Sequence, residues 1–166
     1  MTTLNGLPAH ILLVHAIVVL LPLTAVLLVL CALWPAARRK LASANALLAV
    51  IVAILVPITT DAGEWLERRV PSTQVLRDHT ELGDTALWVA IPVAVLAVAI
   101  WWRHREESLA GRKFLAPAST PVTAIVAVLA VLAAGAAVYD IVRIGDSGAQ
   151  ATWQGKFSST PAPRGR

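Results

Sequence analysis

The sequence is poor in charge, in aromatic residues and in cysteine. Of its 166 residues, 14% are charged, 5% are Phe, Trp or Tyr, and one, Cys31, is cysteine. A soluble globular domain has about 25% charged residues, so the scarcity of charge argues against a water-soluble enzyme. The single cysteine excludes a disulfide framework within the chain, and we expect it to be a small buried apolar side chain.

The sequence instead contains long hydrophobic stretches without charged residues. Hydrophobic residues make up 57% of the chain, and the mean hydropathy is +0.71. Four windows contain no Asp, Glu, Lys or Arg: 10–37, 41–60, 85–102 and 114–139. Because a helix needs roughly 20 apolar residues to cross a bilayer, the sequence predicts an all-α integral membrane protein with four transmembrane helices in a compact bundle.

The domain organisation follows from these windows. The predicted spans are 11–34, 41–59, 85–102 and 122–142, so residues 1–145 form the four-helix transmembrane domain. Residues 146–166 are rich in Gly, Ser, Thr and Pro. This composition predicts a flexible, disordered C-terminal tail.

The basic residues predict an orientation. The net charge is +4, and basic loops of a membrane protein explain it more simply than a nucleic-acid partner does. The basic residues divide equally between the two sides, so we rely on the loop beside the first helix, which carries Arg38, Arg39 and Lys40. We therefore expect a multi-pass protein of the cell membrane with both termini outside and loops 35–40 and 103–120 in the cytoplasm.

In this topology all four helices bring titratable groups to the outer end. The candidate polar cluster consists of His10, His15, Asp61, Glu64, His79, Glu81, Asp140 and Arg143. His15 lies inside a long apolar helix, where a polar side chain is costly and tends to face the bundle interior. His10 is five positions earlier, roughly 140° away around the helix. Asp140 follows a charge-free run, and Arg143, one turn later, is its expected ion-pair partner.

Four blocks of the sequence resemble a known family. They are GLPAHILLVH at 6–15, DAGEWLE at 61–67, HTELGD at 79–84 and RIGDSGA at 143–149, and together they look like the bacterial membrane proteins of domain of unknown function 2231. The resemblance implies four membrane helices and no assigned activity, and in that family the domain also occurs beside Rieske-type redox modules. The chain departs from the pattern at Asp146, where a histidine is common, which weakens haem or soft-metal ligation at that position.

Three functions remain open. The first is a non-catalytic accessory subunit whose outward-facing His/carboxylate cluster docks a redox or other membrane protein. The second is a redox protein that binds haem b or a divalent transition metal, with His15 and His79 as the favoured ligands. The third is a proton or small-ion pathway, although the middle of the spans offers little beyond Thr24, Ser43 and Asn45.

An enzymatic function is not favoured. The chain contains no HExxH, GxSxG or CxxC motif and no phosphate-binding glycine loop, and these are the common signatures of hydrolases, metalloproteases, redox enzymes and nucleotide-binding enzymes. We therefore predict no catalytic residue. The expected environment is the lipid bilayer, and the oligomeric state remains open.

Overall fold

Long helices make up nearly all of the structure, a computed structural model that describes residues 3–4, 6–108, 120–156, 158 and 160. At the N-terminus β1 (Thr3–Leu4) pairs antiparallel with β2 (Leu7–Pro8), and Gly6 adopts a φ of 81° between them. The helices are α1 (Ala9–Leu33), α2 (Pro35–Glu67), α3 (Gln74–Gly83), α4 (Ala86–Ser108) and α5 (Thr120–Trp153).

The chain reverses direction between α1 and α2 at a single residue. Trp34 has an extended backbone, with φ −118° and ψ 109°, because the ring of Pro35 disfavours a helical conformation in the residue before it. Pro35 then begins α2, where its missing N–H costs nothing. The guanidinium of Arg38 donates to the carbonyls of Cys31 and Ala32 at 2.9 and 3.1 Å, and so caps the end of α1.

Two local signals separate the next three helices. Pro71 lies in the segment after α2, and the hydroxyl of Thr73 accepts a hydrogen bond from the N–H of Leu76 at 3.2 Å. Thr73 is therefore the N-cap of α3, as expected of a Ser or Thr before a helix. A short turn at Asp84 and Thr85 then divides α3 from α4.

The four long helices close into a ring in which α1 packs on α2 and α5, and α4 packs on α2 and α5. Small side chains fill their contacts: Ala49, Ala90, Ala97, Ala130 and Ala137 are at most 2% exposed. Small residues let helix backbones approach closely, which is how helices pack in a membrane. Large apolar side chains such as Leu47, Trp88 and Leu132 are exposed on the outside, where lipid tails would meet them.

The predicted fold class is confirmed. In the part of the chain that the structure describes, four helices are long and apolar enough to cross a membrane: α1, α2, α3 together with α4, and α5. The chain is thus an all-α, four-span membrane protein. Each helix extends beyond its predicted span because polar turns add to the apolar core at one or both ends.

The predicted domain boundary at residue 145 lies inside α5. This helix continues to Trp153, although Gly145 and Gly148 lower its intrinsic helix propensity. Packing of α3 against this segment supplies the tertiary contacts that outweigh the propensity. Of the residues assigned to a flexible tail, 157, 159 and 161–166 lie outside the described part, so flexibility there stays a prediction.

Candidate functional site

One end of the bundle gathers most of the predicted polar cluster, and we call it the polar end. It contains the first turn of α1, the end of α2, all of α3, the start of α4 and the end of α5, as contacts among His10, Thr59, His79, Thr85, Asp140 and Ser147 show. The opposite end, with Arg38 and Arg103, is the basic end.

His10 ties α1 to α2. Its Nδ1 lies 3.0 Å from the backbone carbonyl of Thr59, so Nδ1 carries the proton and donates it. The ring also rests on Gly63, where an added Cβ would lie 2.9 Å from Nδ1 and 3.0 Å from Cε1. Only a glycine leaves room for the imidazole this close to the backbone of α2.

His79 ties α3 to α5 in the same way. Its Nδ1 lies 2.9 Å from the hydroxyl of Ser147, and this hydroxyl donates its proton to the carbonyl of Ile144 at 2.9 Å. Ser147 therefore accepts from His79, which places a proton on Nδ1. A Cβ at Gly148 would lie 3.0 Å from Cε1 of the ring, so a second glycine admits a second histidine.

The two imidazoles meet at the polar end. The ring centroids of His10 and His79 are 6.5 Å apart, and the rings are inclined at 73°. Both rings carry the Nδ1 proton, so in the neutral form each Nε2 holds a lone pair. The structure thus pairs His79 with His10, whereas the sequence favoured His79 with His15.

His15 lies elsewhere on α1. Its side chain is exposed, and its Nδ1 donates to the carbonyl of Ile11 in the same helix. The rotation of roughly 140° between residues five apart explains why His10 faces its neighbours and His15 does not. The expectation that His15 faces the bundle interior is therefore wrong.

The charge state of His79 reflects its surroundings. In the span formed by α3 and α4, the apolar part is the charge-free stretch 85–102. α3 precedes this stretch and carries several charged residues, so His79 lies beyond the apolar part, at the polar end. Burial lowers the pKa of His79 below its ordinary value of 6.5, and repulsion from His10 lowers it further. A hydrogen bond to the backbone of Ile144 opposes these effects and raises the pKa. The net shift favours the neutral imidazole.

Asp140 is a buried carboxylate, 7% exposed, and its partner lies on another helix. The hydroxyl of Thr85 is 2.9 Å from each carboxylate oxygen and 2.6 Å from the carbonyl of Leu82, so its single proton is shared among these acceptors. Arg143 is exposed, and its guanidinium carbon lies 5.7 Å from the ring centroid of Tyr139. Because Asp140 faces inward and Arg143 outward, the expected ion pair between them does not form among the described contacts.

The remaining predicted residues face solvent. Asp61, Glu64 and Glu81 are exposed, and Glu64 forms a helix-surface pair with Arg68 at 3.5 Å. Arg77, one turn before Glu81, donates instead to Ser72 and Gln74, at 2.9 and 2.7 Å. None of these acids bonds to the histidine pair among the described contacts. Over the described residues, no group of three or more His, Cys, Asp or Glu side chains could hold a metal ion.

Neutral residues that the sequence analysis missed hold this end together. They are Thr59, Thr85 and Ser147, which bond to His10, Asp140 and His79, and the two glycines beneath the rings. Gly63, Ser147 and Gly148 lie inside two of the blocks that carry the family resemblance, DAGEWLE and RIGDSGA. Those blocks were the available signal, although the sequence does not say which histidine meets which glycine.

A separate polar contact locks the middle of the bundle. With its amide oriented to satisfy both neighbours, Asn45 donates to the carbonyl of Thr24 at 3.3 Å and accepts from the N–H of Leu28 at 3.2 Å. Asn45 is 1% exposed and Thr24 0%. The buried amide of Asn45 therefore binds α2 to the backbone of α1.

Comparison with known proteins adds a family and no activity. The family model described as a predicted membrane protein (DUF2231) matches residues 6–161. No curated protein and no solved structure matches the chain. The match includes all four sequence blocks and all four long helices, and the chain therefore belongs to the DUF2231 family of predicted membrane proteins.

Proposed function

We propose that this protein is a non-catalytic membrane subunit whose polar end docks a partner protein. One observation carries the proposal: the buried polar groups of this end are used to join helices, while its acidic groups face solvent. His10 and His79 bond to neighbouring helices, and Asp140 bonds to Thr85. Such an end has its buried polar groups bonded between helices and presents charge to solvent, which suits recognition of a partner more than catalysis.

The surface best suited to docking is the outer side of α3. Asp78, Glu81 and Asp84 follow one another at intervals of three and are exposed, so they lie along one side of the helix. The opposite side, with His79 and Leu82, is half-buried and packs on the bundle. We call the three acids the acidic face, and their charge favours a basic segment of the partner.

The test is the size of the complex in native membranes dissolved in a mild detergent. We expect the wild type to migrate well above the purified chain, and the double variant Glu81→Lys/Asp84→Lys to fall to the size of the purified chain. Glu64→Lys, an exposed acid on α2, is the matched control and should keep the complex. The proposal fails if the wild type already migrates like the purified chain, or if the α3 variant leaves the complex unchanged.

The histidine pair supports a second candidate, a site for a single transition-metal ion or haem iron. Each Nδ1 is bonded to protein, the arrangement that orients an imidazole so that Nε2 can bind a metal. Imidazole suits copper, zinc and iron. With two nitrogen ligands and no third nearby among the described side chains, other ligands would have to come from water, a porphyrin or a partner.

Metal titration and optical spectra distinguish the two candidates. If the second is correct, Cu²⁺ or Zn²⁺ binds the purified protein at one ion per chain, or reduced membranes show a haem Soret band. His10→Ala and His79→Ala should each abolish the signal. His15→Ala, which removes an exposed histidine from the same helix as His10, should preserve it. A wild-type protein with neither ion binding nor a Soret band excludes this candidate.

We also propose that the polar end is outside the cell and the basic end in the cytoplasm. The three basic residues that follow α1 support this direction. In a Cys31→Ala background, Ser72→Cys at the polar end should react with a membrane-impermeant maleimide in intact cells. Arg39→Cys, exposed at the basic end, should react only after permeabilisation. The reverse pattern would invert the assignment.

A further inference from the structure

A small cavity at the basic end lies where all four long helices meet. Its walls come from Ala32 of α1, Arg38 of α2, Ile100 and Arg103 of α4, and Thr123 and Val126 of α5. The cavity is about 10 Å³ and partly open. It therefore combines two guanidinium groups and a hydroxyl with an apolar wall, far from the histidine pair at the polar end.

Arg103 is the unusual residue of this cavity. It is 9% exposed, although arginine carries its charge at all physiological pH values. Its Nη2 lies 3.4 Å from the hydroxyl of Thr123, a long contact. Its Nε is buried and has no hydrogen-bond partner among the described residues. A buried donor of a charged group is costly when it is left unpaired, so a ligand oxygen that accepts a hydrogen bond from this nitrogen would stabilise the site.

Arg38 is held in place at the same cavity. Its Nε and Nη2 donate to the last carbonyls of α1, at 2.9 and 3.1 Å, which fixes the plane of the guanidinium. Glu106, three residues after Arg103 on α4, does not line the cavity, and its carboxylate accepts from the indole of Trp102 at 2.7 Å. Two positive groups from different helices thus converge at one opening, and one of them is already oriented.

The depth of the site is that of a lipid headgroup. Arg103 directly follows the charge-free stretch 85–102, and Trp101 and Trp102 lie at its end, the position that tryptophan favours at a membrane–water interface. A cavity of this size admits about one oxygen-sized group. Guanidinium groups bind phosphate oxygens through charge-assisted hydrogen bonds, and basic pockets between membrane helices suit anionic headgroups.

We propose that this cavity binds a phosphate group, supplied by an anionic phospholipid. One phosphate oxygen enters the cavity and accepts from Arg103 Nε and the Thr123 hydroxyl, while Arg38 faces the remaining oxygens at the opening. Ala32, Ile100 and Val126 then contact the apolar part of the lipid. A free phosphate ion offers the same oxygens without that apolar contact, so the two sources can be separated by experiment.

The experiment measures phospholipid bound to the full chain, purified in a non-ionic detergent. Mixed micelles containing phosphatidylglycerol, micelles containing phosphatidylcholine, and inorganic phosphate alone are the three probes. We expect saturable binding of phosphatidylglycerol at one lipid per chain, with at least about tenfold weaker binding of the net-neutral phosphatidylcholine. Inorganic phosphate should bind more weakly still because it lacks the acyl chains.

Variants assign the binding to this cavity. Arg103→Gln should weaken phosphatidylglycerol binding about tenfold or more, and Thr123→Val, which keeps the shape of the side chain, should weaken it by a smaller factor. If Arg103→Gln does not fold, Thr123→Val and Arg38→Gln provide the test. Arg39→Gln removes one exposed positive charge next to Arg38 and is the matched control, which should bind like the wild type.

Three outcomes would overturn the proposal. Equal binding of the two lipids would show that anionic charge is not recognised. Binding of inorganic phosphate as tight as that of phosphatidylglycerol would assign the site to a free ion. Equal losses in Arg39→Gln and in the cavity variants would mean that the basic surface attracts the lipid without a defined site.

Discussion

Gly63 offers a direct test of how the polar end is assembled. The three atoms nearest to a Cβ added at this position all belong to the ring of His10, the closest at 2.9 Å. In Gly63→Ala the ring must therefore move, and it loses the hydrogen bond to Thr59. Loss of such a bond costs about 0.5–1.5 kcal/mol. Alanine is also better than glycine inside a helix by about 1 kcal/mol, so these opposing effects nearly cancel in the wild-type background.

The cancellation makes a double-mutant cycle the decisive measurement. In a His10→Ala background the space above Gly63 is open, so Gly63→Ala should stabilise the protein by up to about 1 kcal/mol. The coupling between the two sites should therefore be about 1 kcal/mol, within the range found for residues in contact. The free energy of unfolding can be measured by adding SDS to detergent micelles and following far-UV circular dichroism.

A second glycine provides the control for this cycle. Gly135 lies in the middle of α5, and a Cβ there meets nothing within 4 Å. Gly135→Ala should change the free energy of unfolding by the same amount with and without His10. If Gly63→Ala also has the same effect in both backgrounds, the imidazole does not rest on this glycine and the account of the polar end is refuted.

Three further predictions concern other contacts of the bundle. The pKa of His79 is lowered in the folded protein. The stability that His79 contributes should therefore be complete above its unfolded pKa of about 6.5 and be lost as the pH falls through the folded pKa. The loss should be at most about 1.4 kcal/mol per pH unit. His79→Gln should remove this dependence in chemical unfolding, and His15→Gln should not. Thr85→Val should destabilise the protein by about 1–3 kcal/mol by leaving the buried Asp140 without its hydrogen-bond partner just before α4, whereas Thr85→Ser should restore most of the loss. Asn45→Ala should cost about 0.6–1.7 kcal/mol in the same assay, and an unchanged midpoint would contradict the amide contact with α1.

Both ends of the bundle use polar groups for packing, but they do so differently. At the polar end the histidines and Asp140 have partners on neighbouring helices. At the basic end the Nε of Arg103 has no partner within the described structure. The polar end, whose buried polar groups are paired with one another, is therefore suited to protein docking, and the basic end, with a donor left unpaired, to a small anionic group.

Part of the site was predictable because it depends on local pattern alone. The helix ends near Pro35, Pro71 and Thr73 follow from backbone preferences that act over a few residues. The gathering of polar groups at one end follows from four spans of alternating direction. The individual side-chain pairs were not predictable, because each residue turns the helix by about 100°. A small error in how a helix is rotated therefore changes which side chain faces the neighbouring helix.

The sequence by itself determined the fold class. Four charge-free, apolar stretches of bilayer length are what membrane-spanning helices require, because the hydrocarbon core admits only helices or closed barrels. The sequence also determined the family, through four blocks in a fixed order. Only the tertiary structure decided that His10 rather than His15 meets His79, and that Thr85 rather than Arg143 meets Asp140. The physical reason is that these contacts join residues far apart in the chain, where helix rotation and glycine-sized gaps select the partner.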